Sequence, residues 1–169
     1  GDELHGLVRD MFATMRAAEG VGLAATQVGQ DLAVFVYECP DADDVVHRGV
    51  FCNPELVLPS GRDRNLEACE EGCLSYPGGY ESVARPDTAQ CKGQDAEGNE
   101  VDVTGTGLLA RCFQHETDHL RGMVFGDRLS RRARRQLDQQ VAELADQYPD
   151  DWPVSPKLVA TAGHLDEDD

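Results

Sequence analysis

The residues best suited to chemistry lie in one short run, Gln114-His115-Glu116-Thr117-Asp118-His119, which contains the pattern H-E-x-x-H. On an α-helix, residues four apart stand one above the other on the same face. His115 and His119 can then grip one metal ion, and Glu116 can reach a water on that ion. The bland alternative is a pair of hydrogen-bonded core histidines. A catalytic metal site takes three protein ligands and leaves a position for water. The extended pattern with a third His fails here: Gly122 fits, but Phe125 stands where that His belongs. A downstream Glu is another option, with Glu143 the interior candidate; the acidic tail, which also holds His164, is a poor source. Cys73 is the better candidate, because a thiolate in the Gly-flanked loop expected over Glu70–Gly79 has room to point inward, with Cys69 its local competitor.

The elements around this run must position it. Leu108, Leu109, Cys112, Phe113 and His115 fall on one broad helical stripe, with Thr106 as N-cap and Gly122 as stop. An earlier helix is expected from Glu3 to Glu19, where Leu4, Leu7, Val8, Met11, Phe12, Met15 and Ala18 repeat at helical spacing and Asp2 can cap. Gly20-Val21-Gly22 ends it and allows close backbone approach; Leu23 to Gly29 is small and apolar around the single amide of Gln27. Strands are expected at Leu32–Tyr37, at Val50–Leu58 as one bent or two short strands broken by Asn53-Pro54, and at Tyr80–Ala84, Thr88–Gly93 and Glu100–Thr104. The last two are joined through the turn Asp95–Asn99. Ser130 can cap a final helix reaching Tyr148. The pattern is that of an α+β fold: antiparallel sheets around a central helix, with an N-terminal and a C-terminal helix.

The chain of 169 residues is long enough for one domain with a real core, and no run is apolar enough to span a membrane. Its net charge of −17 argues against general affinity for nucleic acid or anionic lipid. Against that background Arg128, Arg131, Arg132, Arg134 and Arg135 form a local basic cluster. The six cysteines, without an export signal, read as reduced and cytoplasmic.

Three stretches together resemble the signature motifs of the peptide deformylase family: Gly20-Val21-Gly22-Leu23-Ala24-Ala25-Thr26-Gln27, then Glu71-Gly72-Cys73-Leu74-Ser75, then Gln114-His115-Glu116-Thr117-Asp118-His119-Leu120. They occur in the family's order, and the resemblance covers roughly Asp2 to Ser130. It implies sheets wrapped around the metal-binding helix, and removal of the formyl group from the N-terminal methionine of new bacterial polypeptides. It implies Cys73, His115 and His119 as metal ligands and Glu116 as the catalytic carboxylate. The oxyanion would be held by Gln27 and the backbone N–H of Leu74. Val21, Gly22 and Gly72 would line an extended substrate, and Leu108 and Cys112 are candidate walls for the methionine side chain. Arg111 stands on that side too, where family members often carry an apolar pocket residue. The implied ion is Fe²⁺, with Zn²⁺ or Ni²⁺ replacing it in purified protein. Ribosome docking by the C-terminal helix has a family precedent and gives the arginine cluster a role. The expected organisation is one catalytic domain over residues 1–148, acting as a monomer, and an irregular acidic tail over 149–169. The resemblance also implies a further segment with a strand before the first helix, and the expectation is that it is missing here. Two rivals are an H-E-x-x-H peptidase, which a downstream Glu ligand would favour, and a metal-stabilised binding module, which Cys69 as a fourth ligand would favour.

Overall fold

The computed structural model describes residues 1–148; the expected acidic tail, residues 149–169, lies outside the described residues. The chain runs through α1 (Asp2–Ala17), β1 (Gly22–Ala24), a 3₁₀ turn (Ala25–Val28), β2 (Val34–Pro40), β3 (Val46–Val57), β4 (Leu66–Cys73), β5 (Tyr76–Pro86), β6 (Thr88–Gln94), β7 (Glu100–Thr106), α2 (Gly107–Leu120) and α3 (Arg131–Glu143). The fold is α+β, with helices flanking antiparallel sheets. Five strands form one antiparallel sheet in the order β1-β2-β3-β6-β7, and β4 pairs with β5 in a separate two-stranded sheet. No helix among the described residues is long and apolar enough to cross a membrane.

The central helix is fixed by aromatic packing. Phe113 of α2 meets Tyr37 and Phe51 edge-on, with ring centroids 5.1 and 5.5 Å apart, and Phe35 closes the cluster. Such pairs contribute about 0.5–1.5 kcal/mol each beyond area burial. Leu109 and Phe113, one turn apart, are wholly buried against β2 and β3. At 100° per residue, this leaves Arg111, His115, Asp118 and His119 on the opposite side of α2, turned toward the β4–β5 hairpin. Helix α1 buries Met11, Phe12 and Met15 against Leu23, Val34, Val36 and Cys52, covering another part of the large sheet.

Several boundaries move from their expected places, each for a local reason. Gly1, not Asp2, is the N-cap of α1, and Asp2 and Glu3 sit in the first turn, where carboxylates favour the helix dipole. The expected Val50–Leu58 is a single longer strand, β3, which ends at Val57 and is bent at Asn53-Pro54: the register with β6 slips between Cys52 and Glu55, and Asn53 takes a positive φ of 51°. Asp95–Asn99 turns as expected, with Asp95 Oδ1 accepting the N–H groups of Glu97 and Asn99. Thr106 is the N-cap of α2, but its hydroxyl accepts the N–H of Ala42 and leaves the helix without a side-chain cap. Ser130 caps α3 through Ala133 N–H, and the helix stops at Glu143, short of Tyr148.

A two-stranded sheet is marginal by itself. The β4–β5 hairpin is held from outside by α3, whose Leu137 packs with Val83 and Phe125, and Tyr80 N–H donates to Gln140 Oε1 at 2.8 Å. From inside it is held by ion pairs to α2.

Candidate metal centre and active site

The expected loop around Cys73 is instead the end of strand β4. Gly72 is consistent with a strand because a ring fills the space it leaves: a Cβ there would lie 2.4 Å from Tyr80 Cε1. The register slips between Gly72 and Cys73. Cys73 Sγ stands 3.2 Å from His119 Nε2, and ligand atoms of Cys73, His115 and His119 all lie within 4.8 Å of one another. Neither Cys69 nor Glu143 belongs to this group among the described residues; Glu143 accepts a bond from Gln139 on α3.

The donor set is ready for a cation. His115 Nδ1 lies 2.8 Å from Glu71 Oε1. A carboxylate at Nδ1 keeps the proton there and leaves Nε2 free to ligate. Glu71 is itself held by Arg85 through Nε (2.6 Å) and Nη2 (2.9 Å) and by Arg111 Nη1 (2.6 Å). Burial alone would raise its carboxyl, but the bonds from His115 and Arg85 bring it down to about 2. Burial likewise works against the Cys73 thiolate, yet His115 and His119 bring its pKa down to about 5; against its own burial His115 is raised to about 10 by Cys73 and Glu71, so a cation there would take the place of an imidazolium proton. Asp118, on the same side of α2, takes Arg85 at 3.0 Å and Arg128 twice at 2.6 Å.

Glu116 is only 4% exposed, and burial raises its carboxyl to about 7 even with two imidazoles nearby. Its Oε2 is the one buried side-chain oxygen or nitrogen among the described residues with no hydrogen-bond partner. Such an atom calls for a reason, because an unsatisfied buried polar group costs about 1–3 kcal/mol. A reactant water beside a cation supplies that reason, so the residues present fit a metal. Gly22 is the neighbour that permits this placement: a Cβ there would lie 2.7 Å from Glu116 Oε1 and 2.9 Å from Cys112 Sγ.

Gln27, in the 3₁₀ turn after β1, accepts Ala24 N–H at Oε1 (3.0 Å). That fixes the amide so that Nε2 faces inward, 3.8 Å from Cys73 Sγ and 3.3 Å from Ser75 Oγ. Leu74 follows Cys73 and packs, partly buried, against the α1 cluster. A cleft of about 290 Å³ opens over these groups. Val21, Gly22, Gly72, Leu108, Arg111 and Cys112, the residues expected to meet substrate, all line it. Leu108 is 43% exposed because it faces this cleft rather than the core. Tyr80 and Tyr148 line it as well, and sequence reasoning missed them: neither carries a local pattern, and both arrive through the packing of β5 and the end of the chain described.

A thiolate and two imidazoles beside a buried carboxylate are the side chains of a mononuclear metallohydrolase. Comparison with known proteins gives the class its name. The family model for polypeptide deformylase matches residues 1–135. Peptide deformylase 1 of Streptomyces avermitilis is 56% identical over 150 residues, covering 88% of this chain and 69% of that protein. The crystal structure of a peptide deformylase from Legionella pneumophila superposes with a TM-score of 0.76 at 38% identity, covering 86% of this chain and 83% of that one. A peptide deformylase from Synechococcus elongatus, solved in complex with actinonin, gives 0.74 at 39% identity, with 86% and 76% covered. The chain belongs to the polypeptide deformylase family, metallohydrolases that remove the N-formyl group from nascent peptides.

Proposed function

We propose that residues 1–148 form the catalytic domain and hydrolyse the formamide at the N-terminal methionine through one divalent cation held by Cys73, His115 and His119. The convergence of those three side chains beside Glu116 supports this reading. A cation held there would lower the pKa of a water from about 15.7 toward about 7 and would polarise the formyl carbonyl. Glu116, buried beside the ligands with Oε2 unpartnered, takes the proton of the attacking water. The Gln27 amide and Leu74 N–H donate to the carbonyl oxygen as it gains charge. Glu116 then delivers its proton to the leaving amine, releasing formate and a free N-terminus. Val21, Gly22 and Gly72 offer backbone to an extended peptide, and Leu108 and Cys112 give the methionine side chain apolar surface. We place the reaction in the cytoplasm, carried out by a monomer.

The resident ion is proposed to be Fe²⁺. Thiolate and imidazole ligands also suit zinc and nickel, so ligand type leaves the choice open. Iron beside an open position is accessible to oxygen, and Cys73 can be oxidised along the sulfenic–sulfinic ladder, whereas zinc has no redox chemistry. Protein stripped anaerobically and reloaded with each ion is expected to release formate faster with iron, and to lose that activity in air while the zinc form keeps its own. Equal rates with equal decay would remove the iron assignment and leave the ligand set standing.

The arginine cluster divides in the fold. Arg128 is engaged with Asp118, and Arg134 with Asp127, Asp138 and the ring of Tyr76. Arg131, Arg132 and Arg135 are exposed at the start of α3, where cations oppose the helix dipole at a cost of up to about 1 kcal/mol each. We propose that these three meet ribosomal RNA where the nascent chain emerges. Gln at all three positions is expected to weaken salt-sensitive co-sedimentation with ribosomes and to spare formate release from short peptides. Co-sedimentation equal to wild type at every salt concentration counts against the contact.

A further inference from the structure

We propose that Arg111 is a positioning residue of the metal centre: it clamps the helix that carries His115 and His119 to the hairpin that carries Cys73, and it acts on the ligands through Glu71. The proposal rests on the ligand set given above.

The three ligands come from two structural units. His115 and His119 ride on α2, which is packed into the large sheet by Phe113 and Leu109. Cys73 ends β4, whose only strand partner among the described residues is β5. Backbone hydrogen bonding within the large sheet therefore does not set the distance from Cys73 to the two histidines. Gly107 N–H donates to Asp87 O and ties the start of α2 to the chain just past β5; among the described residues the other links across the gap are made by side chains, Gln114 to Pro86 O and Arg85 to Asp118 among them. A mixed ligand set of this kind is preorganised only as well as that gap is held.

Arg111 crosses the gap with three bonds. Its Nη1 donates to Glu71 Oε2 at 2.6 Å and to Val83 O at 2.8 Å, and its Nη2 donates to Glu67 O at 2.8 Å. Glu67 and Glu71 belong to β4 and Val83 to β5, so one planar group grips both strands. The rigid fork of a guanidinium suits this; the point charge of an ammonium cannot reproduce it. Glu71 closes the loop. It lies two residues before Cys73 on β4, and it returns to α2 at His115, one turn beyond Arg111.

The carboxylate is fully used. A carboxylate offers about four acceptor positions. Here Oε1 takes His115 and Arg85, and Oε2 takes Arg85 and Arg111. Each bond limits the freedom of Glu71, and its orientation sets the ring of His115. Arg111 is 6% exposed, and both terminal nitrogens are bonded to protein. It therefore forms part of the cleft wall while its donors serve the scaffold rather than the substrate. Loss of Arg111 still leaves Glu71 paired with Arg85, so the folded state keeps a countercharge for the buried carboxylate.

The test is a zinc titration of metal-stripped protein against a chromophoric chelator without oxygen. For Arg111→Leu, the zinc dissociation constant is expected to rise by about 10–100-fold, the range for lost outer contacts to a metal ligand. With zinc saturating, KM for a formyl-Met peptide is read beside the affinity, because Arg111 also walls the cleft. Glu71→Gln and the double variant complete a cycle: if Arg111 works through Glu71, the double variant loses much less than the sum of the singles. Arg111→Lys, which keeps the charge and loses the fork, should fall between wild type and Leu. If the Leu variant does not fold, Lys with wild-type zinc affinity overturns the proposal. It is also overturned by unchanged affinity in the Leu variant, by additive effects in the cycle, or by a raised KM with unchanged affinity, which would make Arg111 a substrate contact. A wild-type protein that binds no zinc would instead overturn the ligand set itself.

Discussion

Replacing Glu116 with Ala is expected to lower kcat for a formyl-Met peptide by ~10²–10⁴, the usual cost of removing a general acid–base group, while metal content stays at the wild-type level. The size follows from the two jobs assigned to one carboxyl. It accepts a proton from water and returns it to a poor leaving group, and the two other buried carboxylates among the described residues are committed elsewhere. Glu71 is committed to His115, Arg85 and Arg111, and Asp118 to Arg85 and Arg128. Glu116 is in none of these bonds, and its Oε2 has no protein partner, so removing it leaves the ligand scaffold intact. Glu116→Gln should be nearly as slow, because it keeps the shape and cannot take the proton. Metal analysis of both variants separates this account from the loss of a ligand. A variant with full metal content and full activity would end the proposed role.

The second large effect is expected at Gln27. Gln27→Leu keeps approximate volume and removes the donor, and the loss of one oxyanion donor costs ~10²–10³ in kcat. The fixed amide explains why a single side chain matters so much. Ala24 N–H holds Oε1, so Nε2 already faces the site and needs no reorganisation as charge develops on the substrate oxygen. The loss should fall on kcat, with KM little changed, because the charge exists chiefly in the transition state. A change confined to KM would make Gln27 a substrate anchor instead.

Much of the fold was legible in the sequence because its signals are local. The helix around His115, the turn at Asp95–Asn99 and the Ser130 cap depend on residues a few positions apart, and all three occur in the structure, although Leu108 faces the cleft and His115 the hairpin rather than sharing one stripe with Leu109 and Phe113. The bend at Asn53-Pro54 was readable for the same reason: proline cannot donate to a ladder. Cys73 was found as a residue but misplaced as an element. Its glycines read as a loop because nothing nearby in sequence shows that the ring of Tyr80 covers Gly72. The ion pairs that hold the site were not legible at all. Glu71 meets Arg85 14 residues on, Arg111 40 residues on and His115 44 residues on, and no periodicity links them. One clue was available. Arg111 lies among Leu109, Ala110, Cys112 and Phe113 on a helix expected to be buried, and a buried arginine requires a carboxylate partner. Read that way, Arg111 points to the β4–β5 hairpin rather than to the substrate.

The central claim is that a cation on Cys73, His115 and His119 enables this chain to cleave a formamide in particular. Formate release from a formyl-Met peptide, run beside acetate release from the matching acetyl-Met peptide, tests it most directly. The protein is assayed metal-stripped and then reloaded with Fe²⁺ without oxygen. The account predicts formate from the reloaded protein alone, and little or no acetate, because an acetyl group adds a methyl on the reacting carbon where formyl carries only hydrogen. Undiminished formate release from the stripped protein, or acetyl and formyl peptides cleaved at equal rates, would contradict it.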